Sequence, residues 1–127
     1  MADCFKVYKC EECGHILLLM QDGSEAPMSC GKTMKLLEAG TVDAAREKHV
    51  PAVKREGGCV DVQVGEVLHP MEEAHYITFV AAVCEGQVQI KYLKPGQEPK
   101  AHFCFNSEAP ITVYEYCNLH GLWKAEV

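Results

Sequence analysis

The stretch His75-Tyr76-Ile77-Thr78-Phe79-Val80-Ala81-Ala82-Val83-Cys84-Glu85-Gly86-Gln87-Val88-Gln89-Ile90-Lys91-Tyr92 decides the fold. His75, Ile77, Phe79, Ala81 and Val83 occupy alternate positions, and alternate residues of an extended chain share one face. Gly86 marks a turn, after which Val88, Ile90 and Tyr92 resume the alternation. The same pattern runs outward on both sides. Upstream, Val60, Val62 and Val64 alternate with polar residues. Downstream, Lys94-Pro95-Gly96-Gln97 reads as a turn, Phe103 and Phe105 share a face, and Ile111, Val113 and Glu115 continue the period. Short strands punctuated by glycine and proline predict an all-β antiparallel sandwich or barrel.

The first 37 residues read as a separate small β unit, and 38–127 as the main domain. Phe5 to Lys9 alternates as a strand, Cys10-Glu11-Glu12-Cys13-Gly14-His15 is a tight turn aiming two sulfurs at one point, and Ile16 to Met20 is a second strand. Gln21-Asp22-Gly23-Ser24 and Ser29-Cys30-Gly31-Lys32 are further turns. So short a segment buries little apolar surface, and a metal knuckle would supply the missing stability. Between the units, Asp43 to Lys48 predicts one helical turn capped by Asp43 and ended before Pro51.

Composition excludes several classes. Apolar residues make up 48% of the 127-residue chain, too many for a disordered one. A formal net charge of −6 disfavours nucleic acid as a partner. Apolar runs such as Ile16 to Met20 have strand length, far short of a membrane span. Met1-Ala2-Asp3-Cys4 lacks the basic opening of a secretion signal, so a cytoplasmic location is expected. In a reducing compartment, eight cysteines point to metal binding. Cys59, Cys84 and Cys104 lie within strand-like runs and read as small buried apolar residues.

The chemistry concentrates in His49, His69, His75, Cys117 and His120. His49 follows Lys48, His69-Pro70-Met71-Glu72-Glu73-Ala74-His75 carries two imidazoles, and Cys117-Asn118-Leu119-His120 ends a strand. Four imidazoles and a thiolate exceed the needs of a tetrahedral zinc site. They suit a transition metal of higher coordination number, with iron the first candidate. Glu47 and Lys48 are ordinarily a solvated pair. Beside a metal ligand in an acidic chain, Lys48 would attract a small anion.

These residues resemble the desulfoferrodoxin and superoxide reductase family. The resemblance rests on Val7 to Gly14, Thr41 to Pro51, Val64-Gly65 with His69 to His75, Leu93 to Gly96, and Glu115 to Lys124. It implies an immunoglobulin-like β-sandwich and one-electron reduction of superoxide to hydrogen peroxide. The iron would be non-haem, held by His49, His69, His75, His120 and Cys117. By the same resemblance Glu47 occupies the open position of the ferric ion, and Lys48 guides and helps protonate superoxide. A rubredoxin-like electron donor and a homodimer are also implied, with no membrane or nucleic-acid partner.

The N-terminal unit resembles the family's desulforedoxin-type domain, where four cysteines hold a second iron. Here Cys10, Cys13 and Cys30 are present, but Ser29 stands in place of the fourth. A hydroxyl is a poor ligand for a soft site. Cys4 is an awkward substitute, so iron or zinc at this site stays open. Two readings from other classes compete. A blue-copper electron carrier would need a methionine near the Cys117–His120 loop, and Gly121 to Val127 contains none. A zinc-ribbon module on Cys10, Cys13 and Cys30 would leave the downstream histidines unexplained.

Overall fold

The computed structural model describes residues 5–40 and 46–127, with Glu47 described by its backbone alone. The expected cap at Asp43 and the spare thiol of Cys4 lie outside the described residues. The chain separates into two compact units, Ala2–Glu38 and Ala39–Val127.

In the larger unit, strand pairs are antiparallel throughout. β6 (Pro51–Glu56), β7 (Cys59–Val64) and β10 (Lys100–Cys104) form one sheet in the order β10-β7-β6. β8 (Ile77–Cys84), β9 (Gln87–Tyr92), β11 (Thr112–Cys117) and β12 (Gly121–Glu126) form the other, in the order β12-β11-β8-β9. Val60, Val62, Val64, Ala101, Phe103 and Phe105 from the first sheet's side meet Val80, Ala82, Cys84, Ile111 and Val113 from the second in one buried cluster. The fold is the expected all-β sandwich.

Turn chemistry sets the register. Glu85 and Gly86 both have positive φ, 43° and 76°, as a two-residue turn between strongly twisted strands requires. Gly58 is fixed by a close approach: an added Cβ would lie 2.0 Å from the carbonyl oxygen of Phe105. The helical turn α1 (Arg46–His49) ends before Pro51, as predicted.

Three readings need correction. The row His75, Ile77, Phe79, Ala81 and Val83 does not stay on one face of the core. Ile77 joins the inter-sheet cluster with Val80, Ala82 and Cys84, while Phe79 stacks on Tyr116 with ring centroids 6.0 Å apart. A register shift between Tyr116 and Cys117, opposite the start of β8, breaks the alternation. Within the larger unit, β6 lies upstream of the first strand expected there, the Val60 to Val64 run. Its Lys54, Arg55 and Glu56 mask it, because charge is how sheet edges resist further pairing.

Third, Cys59 and Cys104 are not buried apolar residues. They sit directly opposite each other on β7 and β10 and form a disulfide, with Cα atoms 4.0 Å apart. Val60 and Phe103 point into the core, so their neighbours point out. Cys84 is buried as expected.

The smaller unit pairs β1 (Val7–Lys9) with β2 (Ile16–Leu18) on one side and β5 (Lys35–Leu36) on the other. A second hairpin joins β3 (Met28–Ser29) to β4 (Lys32–Thr33). Its buried apolar residues are few: Phe5, Val7, Cys10 and Met34.

Candidate metal centre

The fold gathers His49, His69, His75, Cys117 and His120, one ligand atom each, within 4.8 Å of one another. His49 closes α1, His69 and His75 lie on the connection from β7 to β8, Cys117 ends β11, and His120 precedes β12. The Nε2 of His49 lies 3.1 Å from the Nε2 of His69 and 3.1 Å from the Nδ1 of His120. The Nδ1–H of His69 donates to the carbonyl of Pro70 at 2.7 Å, so its Nε2 presents a lone pair to the centre. His49 has one Nε2 proton at most and cannot satisfy both neighbours. The Nε2 of His75 is buried without a hydrogen-bond partner. Converging lone pairs and an orphaned nitrogen fit a shared cation.

Burial tunes the same groups. It is the main reason the His69 imidazole is lowered from 6.5 to about 4. It lowers His75 too, with the charges of His120 and Lys48 adding to the effect. It raises the Cys117 thiol. Metal-free protein should therefore lose stability as pH falls. Above pH 6.5 His69 is neutral folded or unfolded; between 6.5 and about 4 the unfolded chain binds the extra proton. Urea denaturation of metal-free protein should show a loss of up to about 3 kcal/mol between pH 7 and pH 4 from this group. His69→Gln should flatten that slope.

Residues without a motif of their own brace the candidate donors. Asn118 accepts from the Tyr76 N–H at 2.9 Å and donates to the Ala74 carbonyl at 3.1 Å, tying the His75 segment to the Cys117 loop. Trp123 stacks on His49 at 5.1 Å, and its Nε1–H donates to the His120 carbonyl at 3.0 Å. The Glu115 carboxyl is fully buried without a hydrogen-bond partner, and burial raises its pKa well above the usual range. Its alternation with Ile111 and Val113 placed it on an inward face; its isolation there had no sequence signal.

The N-terminal cluster is more exposed. The sulfurs of Cys10, Cys13 and Cys30 lie within 4.8 Å of one another, with Cys13 and Cys30 exposed. Cys30 and Gly31 take positive φ, 54° and 71°, which turns the β3–β4 hairpin and presents the Cys30 sulfur. The Ser29 hydroxyl is 3.3 Å from the Cys13 sulfur and 3.5 Å from Nδ1 of His15. That hydroxyl is the first cause holding the Cys13 thiol down to about 6. Ser29→Cys should place a fourth sulfur here. The expected result is the visible spectrum of a four-cysteine ferric centre, absent from the parent; an identical spectrum in both would mean that another residue completes the site.

Comparison with known proteins decides the family. The desulfoferrodoxin family model matches residues 41–126, the segment holding all five donors of the larger centre. The chain belongs to the desulfoferrodoxin family. It is 46% identical to a desulfoferrodoxin homologue of Archaeoglobus fulgidus over 125 residues, covering 98% of this chain and 99% of that protein. It is 45% identical to the desulfoferrodoxin of Syntrophotalea carbinolica over 126 residues, 99% of each chain. The crystal structure of the superoxide reductase from Treponema pallidum superposes with a TM-score of 0.76 at 34% identity, covering 94% of this chain and 98% of that one. The likeness to desulfoferrodoxins therefore spans both units, although the family model covers only the larger.

Proposed function

We propose that this member of the desulfoferrodoxin family is a superoxide reductase, an oxidoreductase that converts superoxide to hydrogen peroxide at a non-haem iron. The observation that carries the reading is the convergence of His49, His69, His75, His120 and Cys117 on one point of a β-sandwich. These residues would hold the iron. When bound, iron would supply one-electron chemistry between its ferrous and ferric states.

The chain's own residues do the rest. Reduction of superoxide takes one electron and two protons to give hydrogen peroxide. Lys48 is exposed beside His49, and its charge is felt at His75. It attracts the anion and offers N–H donors to it. Glu47 adjoins it in sequence, and its carboxylate would serve as a further donor to the metal in the resting oxidised protein. The Trp123 ring stacked on His49 shields that face of the centre from water. The His69–Pro70 hydrogen bond holds one imidazole in the tautomer that binds a cation.

Residues 1–37 act as the desulforedoxin-like domain and 38–127 as the catalytic domain. No described helix is long and apolar enough to cross a membrane, and the cytoplasm is the proposed location. A rubredoxin-like carrier would return the electron. The exposed apolar row Val88, Ile90 and Tyr92 on the edge strand β9 offers a surface for a second copy in a homodimer. Metal analysis tests the central claim: about one iron per chain at the five-donor centre is expected, with superoxide consumed and no dioxygen released. Copper there, or no redox-active metal, would sink it.

A further inference from the structure

The outward face of the sheet β10-β7-β6 carries a second group of reactive side chains. Cys59 opposes Cys104, and one row further along Asp61 opposes His102. Asp61 Oδ1 lies 2.6 Å from His102 Nδ1, and His102 Nε2 lies 3.3 Å from the Cys104 sulfur. Cys104 and His102 are exposed, and Cys59 is half-buried. Asp61 and His102 also line an open groove of about 820 Å³, together with Lys54, Lys91 and Lys100. None of these residues belongs to the five-donor centre.

An exposed Asp–His pair adds little to stability. Its chemical consequence is larger. The carboxylate accepts the Nδ1–H, which leaves the Nε2 lone pair facing Cys104. In the dithiol form that nitrogen takes the thiol proton, and the resulting imidazolium stands between a carboxylate and a thiolate. Cys59 is the partner thiol within bonding distance, since the two strands already hold it in register.

We propose that Cys59 and Cys104 form a peroxide-oxidised dithiol–disulfide pair, a second redox site of this domain. The Cys104 thiolate attacks one oxygen of hydrogen peroxide; the O–O bond breaks, giving a sulfenic acid and hydroxide, which takes the imidazolium proton and leaves as water. The Cys59 thiol then attacks that sulfur, forming the S–S bond and releasing a second water. One peroxide accepts two electrons and two protons from the two thiols. A dithiol reductant reverses the change, becoming a disulfide itself. Superoxide reduction would supply the oxidant in place, so the source of the peroxide rests on the function proposed above.

The test adds hydrogen peroxide directly, so its outcome does not depend on superoxide chemistry. The full-length protein is reduced with dithiothreitol, freed of reductant under anaerobic conditions and exposed to equimolar peroxide. Alkylation and peptide mass mapping then follow each thiol. Formation of the Cys59–Cys104 linked peptide ahead of oxidation at Cys13 and Cys30 is expected. Cys59→Ser should trap a dimedone-reactive sulfenic acid on Cys104. His102→Gln should slow disulfide formation roughly tenfold at pH 7 by removing the base that makes the thiolate. The proposal is overturned if the pair stays reduced while exposed Cys13 and Cys30 oxidise, or if His102→Gln reacts at the parent rate. Retention of a metal ion by the reduced pair, with no disulfide formed under peroxide, would also overturn it and assign the cluster to metal binding.

Discussion

Cys117→Ser should abolish the sulfur-to-iron charge-transfer absorption of the oxidised protein and slow superoxide reduction by more than about a hundredfold, since removal of an outer-sphere partner alone typically costs ten- to a hundredfold. Cys117 is fully buried at the end of β11, and Asn118 and His120 continue directly from it. Burial raises its thiol pKa in the absence of a cation. A bound dication reverses that preference, because it favours the thiolate. Serine would have to ionise at a much higher pKa in the same dry position and donates less charge. Iron content should fall less than activity, since four imidazoles remain. Survival of both the band and the rate would remove Cys117 from the ligand set.

Lys48→Ile should slow the second-order reaction with superoxide by roughly tenfold to a hundredfold at low ionic strength, the range expected when a steering charge is lost. The chain carries a formal charge of −6, so a small anion meets an unfavourable global field. Lys48 is exposed within α1, one residue before His49, and its charge acts on His75. The variant's rate should also depend less on salt, and its iron content should match the parent's. Glu47→Ala separates the two roles. It removes negative charge, so encounter should not slow; the resting oxidised protein should instead bind added anions, with a shifted visible band. Stopped-flow or pulse-radiolysis rates at several salt concentrations read both variants. A parent-like rate for Lys48→Ile at low salt would reduce Lys48 to a solvated charge.

The alternation of Val60, Val62 and Val64, and of Ile111, Val113 and Glu115, determined by itself that this chain makes strands with one buried face. Periodicity is a local property, so it survives without knowledge of partners. The candidate donor set was legible for a related reason: four imidazoles and a thiolate beside strand ends form a chemical pattern independent of distance along the chain, and the structure brings them together. The place of Ser29 was read through the family resemblance, which implies a fourth cysteine there, and the structure puts its hydroxyl beside the Cys13 sulfur.

Pairing between distant strands was not legible. Cys59 and Cys104 are 45 residues apart, and only the β7–β10 register makes them neighbours. Their burial was misjudged because membership of an apolar-looking run says nothing of facing, although Val60 and Phe103 already implied the outward direction. The β8 core face failed differently. Both sides of that strand are apolar, and the bulge at Thr78, between Ile77 and Phe79, is a property of two strands together. The charged edge strand β6 and the bracing by Asn118 and Trp123 likewise exist only once the sheets assemble. Residue type states what a side chain can do; long-range packing decides what stands beside it.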